Sequence, residues 1–107
     1  EDINLITILL SGSKPGLQVK DTDGSWIDVK SDYGSLIVNI GDMLQECSKG
    51  YYPSTTHRVI NPIDDENNQS RFSMPFFLHP RDEVKLSDMY TAKSYLDERL
   101  KELGLRK

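Results

Sequence analysis

Short apolar runs alternate with turn residues over most of this chain, and this alternation limits the fold more than any other feature. The runs are rich in β-branched residues and too short for typical helices. Turn formers separate them, as at Ser11–Gly16 and Asp21–Gly24. The predicted strands are Ile3–Leu10, Leu17–Lys20, Ser25–Val29, Ser35–Ile40, Ser54–Val59 and Arg71–Leu78. We expect Ser35–Ile40 to be central and Phe72, Phe76 and Phe77 to lie in the core, with the lining of a substrate pocket as the alternative for Phe76 or Phe77. The pattern predicts a sandwich or jelly roll.

The pattern changes near the end of the chain. Thr91 is a typical helix N-cap, and a helix is predicted from about Ala92 to Leu103. Three leucines spaced four and three apart form its apolar face: Leu96, Leu100 and Leu103. The fold class predicted is therefore mainly β with one C-terminal α-helix. We expect residues 1–85 to form the jelly-roll portion and residues 86–107 to carry the amphipathic helix, packed on the same domain.

Composition and charge exclude several classes of function. The net charge is −4 and no Lys/Arg cluster occurs, so a nucleic-acid partner is not expected. No apolar run is long enough to span a bilayer, so no membrane partner is expected either. The single cysteine, Cys47, excludes an internal disulfide and a multi-cysteine zinc site. Such cysteine usage fits a reducing compartment, and we expect a cytoplasmic protein.

Four polar residues within this β-rich sequence are candidates for chemistry. His57 shares a strand face with Thr55 and Val59, and by itself it fits either a hydrogen-bonded histidine or a metal ligand. Asp2 alone fits a solvated acid. Arg71 and Ser73 are two apart in a predicted strand and therefore point the same way. A guanidinium beside a hydroxyl suits a carboxylate ligand, whereas a surface salt bridge is the common alternative.

The order of these residues resembles the C-terminal half of the Fe(II)- and 2-oxoglutarate-dependent oxygenases, in particular their isopenicillin N synthase-like branch. Glu1-Asp2 and the following strand resemble the end of that family's His-x-Asp motif. Later segments follow in the family's order: Gly16-Leu17-Gln18-Val19, Trp26-Ile27-Asp28-Val29, Val38-Asn39-Ile40-Gly41-Asp42, Ser54-Thr55-Thr56-His57-Arg58-Val59 and Arg71-Phe72-Ser73. The resemblance covers nearly the whole chain, and the segments in register make it specific.

The resemblance implies an oxidoreductase of the dioxygenase class. Asp2 and His57 would be two of the three protein ligands of Fe(II), and Arg71 and Ser73 would hold the far carboxylate of 2-oxoglutarate. The remaining metal positions would accept 2-oxoglutarate and O2, and oxidative decarboxylation would drive oxidation of a small-molecule substrate. No catalytic group is expected beyond the metal ligands. Some members of this branch keep Arg-x-Ser without using 2-oxoglutarate.

The family's first ligand, a histidine two residues before the aspartate, would precede Glu1 and is absent from this sequence. We therefore expect a jelly roll (a double-stranded β-helix) that is incomplete at its N-terminus, completed by an upstream part of the same polypeptide. This portion alone should bind metal weakly and turn over little. The alternative is a non-catalytic jelly-roll module that binds a ligand or partner.

Overall fold

The computed structural model describes residues 2–10, 16–30, 34–60 and 74–105. Six strands and two helices follow one another along the chain. They are β1 (Ile6–Leu10), β2 (Leu17–Lys20), β3 (Trp26–Asp28), β4 (Leu36–Ile40), α1 (Asp42–Cys47), β5 (His57–Val59), β6 (Pro75–Leu78) and α2 (Ala92–Glu102). The strands form two antiparallel sheets of three, and the mainly β class with one helix near the C-terminus is confirmed.

The first sheet has the order β4-β1-β6, with β1 in the middle. The prediction that Ser35–Ile40 is a central strand is therefore wrong, because β4 pairs only with β1 among the described residues. The apolar residues Leu36 and Val38 of β4 lie on one face of the sheet, where both are more than half exposed. The expectation of a core position is also wrong for Phe76 and Phe77, which are at least half exposed on β6, whereas Phe72 lies outside the described residues.

The second sheet has the order β3-β2-β5 and places His57 on its apolar face. Val19 lies opposite both Ile27 and His57 in register, so the three side chains share one face. The other face carries Trp26 and polar side chains, and there Gln18 bonds to Asp28 and Arg58. The predicted hairpin turn at Asp21–Gly24 is confirmed by the bond from the Gly24 amide to the Asp21 carbonyl, 3.0 Å long.

The buried core lies where the two helices meet the segment that leads into β1. Its buried members are Met43, Leu86, Ala92 and Tyr95, and Ile3 and Leu5 pack against them. Thr91 caps α2 as predicted, in a reciprocal capping box with Ser94. The helix ends at Glu102, and Leu103 is 63% exposed, so the prediction that Leu103 belongs to the packed face is wrong.

Gly41 permits a very close approach between the end of β4 and the segment that carries Asp2. Its φ of −88° is ordinary, but a Cβ there would lie 1.9 Å from the carbonyl oxygen of Asn4. We expect Gly41→Ala to lower the free energy of unfolding by about 1–3 kcal/mol, because backbone must move to relieve the overlap. Urea unfolding measures this loss.

Gly24→Asn is the control for the Gly41 substitution. Nothing lies within 4 Å of the position that a Cβ would take at Gly24, and asparagine tolerates its positive φ better than other residues do. The control should therefore change the free energy of unfolding by less than Gly41→Ala does. Equal stability of the wild type and Gly41→Ala would contradict the close approach.

Candidate functional site

Asp2 and His57 lie together, although they are far apart in the sequence and belong to different sheets. Asp2 precedes β1 of the first sheet, and His57 begins β5 of the second. The distance from Asp2 Oδ1 to His57 Nε2 is 3.8 Å, and both side chains are about one-fifth exposed (19% and 20%). Of the four predicted site residues, these are the two that the described structure places side by side.

His57 is oriented by its own strand and by the chain just before it. Its imidazole projects from the apolar face of the second sheet, beside Val19. The Nδ1 atom lies 3.2 Å from the carbonyl oxygen of Thr55. A carbonyl only accepts, so Nδ1–H donates this bond, and neutral His57 then carries its free lone pair on Nε2. That lone pair is on the nitrogen nearest the Asp2 carboxylate.

The backbone around Asp2 is bonded to the start of α1. The amide of Asp42 donates to the carbonyl of Asp2 (2.7 Å), and the amides of Gly41 and Met43 donate to residues 5 and 4. The side chain of Asn4 is buried and donates to Thr7 Oγ1 at 3.0 Å. The segment that carries Asp2 is therefore held along its length by α1 and by its own buried polar side chain.

The pair fits a divalent metal in both spacing and donor type. First-row divalent ions lie about 2 Å from nitrogen and oxygen ligands, so one ion can contact two atoms that are 3.8 Å apart. A carboxylate and a neutral imidazole are also two of the three donors of the facial-triad iron sites. Within the described ranges, no group of three His, Cys, Asp or Glu residues comes together.

Arg71 and Ser73, the predicted carboxylate-binding pair, lie outside the described residues. Their roles remain predictions based on the sequence. The other histidine and the cysteine are both exposed, His79 after β6 and Cys47 at the end of α1. Neither side chain is near enough to Asp2 and His57 to form a metal group with them.

Sequence reasoning missed a second set of polar contacts, on α1. The Gln45 side-chain oxygen accepts a 2.6 Å bond from the amide of Ser54, three residues before His57. The buried carboxylate of Asp42 pairs with Arg99 of α2 at 3.4 Å. No local sequence signal places the Gln45 side chain beside Ser54 or the Asp42 carboxylate beside Arg99, because the partners are distant in the chain.

Arg99 and Tyr95 form a charged unit on α2 that faces Asp42. Arg99 donates to the Tyr95 hydroxyl at 3.4 Å and to Glu102 at 3.0 Å. The bond with Tyr95 is the main cause that raises the pKa of Arg99 above its usual value. Burial raises the pKa of Tyr95. Both groups therefore keep their protons at neutral pH, and the guanidinium remains available to Asp42.

None of the helices in the described part of the chain is both long and apolar enough to cross a membrane. The longest of them, α2, has 11 residues and charged side chains along one side.

Known proteins similar to this chain are oxygenases. The model of the 2OG-Fe(II) oxygenase superfamily matches residues 1–80. A 2-oxoglutarate-dependent dioxygenase of Monascus ruber is 40% identical over 77 residues, which are 71% of this chain and 22% of that protein. Scopoletin 8-hydroxylase of Arabidopsis thaliana is 38% identical over 88 residues, which are 82% of this chain and 24% of that protein.

Solved structures agree with these matches. A protein of Shewanella oneidensis regarded as an oxygenase is 64% identical, with a TM-score of 0.91 over 98% of this chain and 39% of its own. T7H of Neurospora crassa in complex with alpha-KG is 30% identical, with a TM-score of 0.79 over 94% of this chain and 35% of its own. The chain thus spans about two-fifths or less of these structures. The six-stranded arrangement is part of a jelly roll, and this chain belongs to the 2OG-Fe(II) oxygenase superfamily.

Proposed function

We propose that this chain is the C-terminal catalytic portion of a non-haem Fe(II)- and 2-oxoglutarate-dependent dioxygenase that oxidises a small organic molecule. The observation that carries the proposal is the meeting of the Asp2 carboxylate and the His57 imidazole, 3.8 Å apart, in a chain of this superfamily. The alternative of a non-catalytic jelly-roll module is not favoured, because the named relatives are dioxygenases and hydroxylases.

In this proposal Asp2 and His57 are metal ligands. Fe(II) with 2-oxoglutarate and O2 would supply oxidative decarboxylation to succinate and CO2 coupled to insertion of one oxygen atom into the substrate. His57 would bind through Nε2, because Nδ1–H is held by the Thr55 carbonyl. Asp2 would contribute one negative charge that offsets the charge of the cation. Neither residue needs to transfer a proton for the reaction.

Arg71 and Ser73 would bind the co-substrate. The planar guanidinium of Arg71 matches the far carboxylate of 2-oxoglutarate with two parallel hydrogen bonds, and the Ser73 hydroxyl adds a third donor. Their spacing of two residues supports this role, because alternate side chains of a strand share a face. The motif supports a carboxylate ligand generally, so the experiment below tests 2-oxoglutarate itself.

An upstream part of the same polypeptide would complete the site and the fold. Supporting this, one face of the first sheet carries large apolar side chains that are 41–64% exposed: Leu10, Leu36, Val38, Phe76 and Leu78. The strand register places all of them on the same face. Several large apolar side chains exposed together on one face mark a surface that another segment or a partner covers.

The lengths of the relatives support the same interpretation. The chain covers between 21% and 30% of the most similar curated relatives, so most of each relative lies outside the matched part. The third metal ligand, a histidine, would come from the residues before Glu1, together with the remaining strands. A cytoplasmic location and the division into residues 1–85 and 86–107 also belong to this proposal.

An anaerobic titration of the full polypeptide with Fe(II) and then 2-oxoglutarate tests the proposed function. We expect a metal-to-ligand charge-transfer band that requires both components, because chelation of iron by the keto acid produces it. Tight Fe(II) binding without the band would mean that the co-substrate is a different molecule. Absence of iron binding would overturn the enzyme assignment and leave a binding module.

A further inference from the structure

Helix α1 contacts the backbone of both proposed metal-ligand segments. Its first residue, Asp42, donates its amide hydrogen to the carbonyl of Asp2 at 2.7 Å. One turn later, the side-chain oxygen of Gln45 accepts the amide hydrogen of Ser54 at 2.6 Å, in the segment that leads to His57. One short helix is therefore hydrogen-bonded both to the segment that carries Asp2 and to the segment that leads to His57.

We propose that α1 is a positioning bracket that sets the separation between Asp2 and His57, with Gln45 as the residue that holds the His57 side. The inference rests on the proposed function, since it concerns the two metal ligands. Asp42 and Gln45 touch neither the metal nor the substrate in this proposal. They act through the backbone of Asp2 and Ser54, so both are positioning residues.

The two hydrogen bonds of the bracket, from the Asp42 amide to Asp2 and from the Ser54 amide to Gln45, are shielded from solvent. Asp42 and Met43 are buried at the start of α1, and Ser54 and Gln45 are partly buried. A hydrogen bond that is shielded from water is worth more than an exposed one, and the loss of its acceptor leaves a polar group unpaired. The Ser54 hydroxyl oxygen is also buried and has no hydrogen-bond partner within the described residues, so the hydrogen bond from its amide to Gln45 is the polar contact that the structure shows for Ser54.

The bracket is itself fixed to α2. Arg99 pairs with the buried Asp42 carboxylate at 3.4 Å, and its guanidinium lies 5.6 Å from the centre of the Tyr95 ring. Tyr95 belongs to the buried core that also contains Met43. Because α2 is a capped helix that packs in the same buried core, its contact with Asp42 ties the start of α1 to that core.

Groups that position metal ligands change metal affinity without contacting the metal, typically by about 10- to 100-fold when they are removed. We therefore expect Gln45→Leu to weaken Fe(II) binding by the full polypeptide about 10-fold or more. Gln45→Glu keeps an oxygen at the same place and should restore most of the affinity. Rescue by glutamate separates a positioning hydrogen bond from a packing role, because leucine and glutamate both fill the space.

Gln18→Leu is the matched control for Gln45→Leu. Gln18 makes comparable side-chain bonds, to Asp28 and Arg58, but on the polar face of the second sheet. Gln18→Leu should leave Fe(II) affinity within about 2-fold of the wild type, because the Gln18 side chain bonds to other side chains and its removal leaves no backbone amide of a ligand segment unpaired. If both substitutions weaken Fe(II) binding equally, the proposal is overturned, because loss of any buried or sheet-bound glutamine would then lower the affinity.

Hydrogen exchange provides a second measurement that does not depend on iron. In Gln45→Leu the amide of Ser54 should exchange faster than in the wild type, and in Arg99→Met the amide of Asp42 should do so. Lys93→Met is the control on α2, because it removes the exposed ion pair with Asp97 and leaves Asp42 untouched. Unchanged exchange at both amides would overturn the bracket.

The two measurements distinguish failure of this inference from failure of the proposed function. If the wild type binds no Fe(II), the proposed function fails, whatever the variants do. If the wild type binds Fe(II) and Gln45→Leu binds it equally well, the positioning role of Gln45 is wrong and the proposed function stands. Weakened binding by Gln45→Leu with rescue by Gln45→Glu supports both.

Discussion

Replacement of His57 by alanine is expected to abolish stoichiometric Fe(II) binding by the full polypeptide and to leave it folded. The imidazole would supply one of only three protein ligands. Its Nε2 atom, which carries the free lone pair, is the ring nitrogen near the Asp2 carboxylate. The cost to folding should be small, because His57 is partly exposed and its one side-chain hydrogen bond within the described ranges goes to the Thr55 carbonyl. Anaerobic isothermal titration with Fe(II) and a far-UV circular dichroism spectrum measure the two effects.

His79→Ala is the matched control, since it removes the other histidine of this chain. His79 is exposed after β6 and its ring stacks loosely on Phe77, with 6.5 Å between ring centroids. Fe(II) affinity should be unchanged in this variant. If His57→Ala binds Fe(II) as tightly as the wild type, His57 is not a ligand and the mapping of the family motif onto this chain fails.

Local sequence signals predicted the elements better than their arrangement. The bounds of β2 agree fully with the prediction, and Thr91 is the N-cap of α2 as predicted. β1 was predicted from Ile3 but begins at Ile6. The three residues before it include Asn4, whose side chain is buried and bonded to Thr7, so this stretch follows a hydrogen-bonding pattern that apolar character does not reveal.

Contacts between distant residues account for what the sequence did not predict. The apolar pattern of β4 suggested a central strand, but strand order depends on which edges pair, and β1 takes the middle. Asp42 follows the predicted strand Ser35–Ile40, and nothing in its sequence context indicates that its carboxylate is buried against Arg99 of α2. The meeting of Asp2 and His57 followed from the family resemblance, because no periodicity within either segment indicates that they are neighbours.

Replacement of Arg71 by alanine is expected to weaken binding of 2-oxoglutarate by about 2–4 kcal/mol, which corresponds to about 30- to 700-fold in Kd. The reason is the loss of a charge-assisted, two-bond contact with the far carboxylate, which leaves a negative charge without its partner. Fe(II) affinity should remain within about 2-fold of the wild type, because Asp2 and His57 are retained. Titration of the charge-transfer band with 2-oxoglutarate at saturating Fe(II) measures the change.

Arg81→Ala removes a comparable guanidinium outside the proposed site and serves as the control. The Arg81 side chain is 82% exposed and pairs with Glu83 at 3.0 Å, an exposed ion pair of a kind that contributes little. The control should bind 2-oxoglutarate as the wild type does. Equal affinity for 2-oxoglutarate in Arg71→Ala and the wild type would show that Arg71 has a structural role or that the full polypeptide uses another co-substrate, since removing the guanidinium from a carboxylate that it binds costs much affinity.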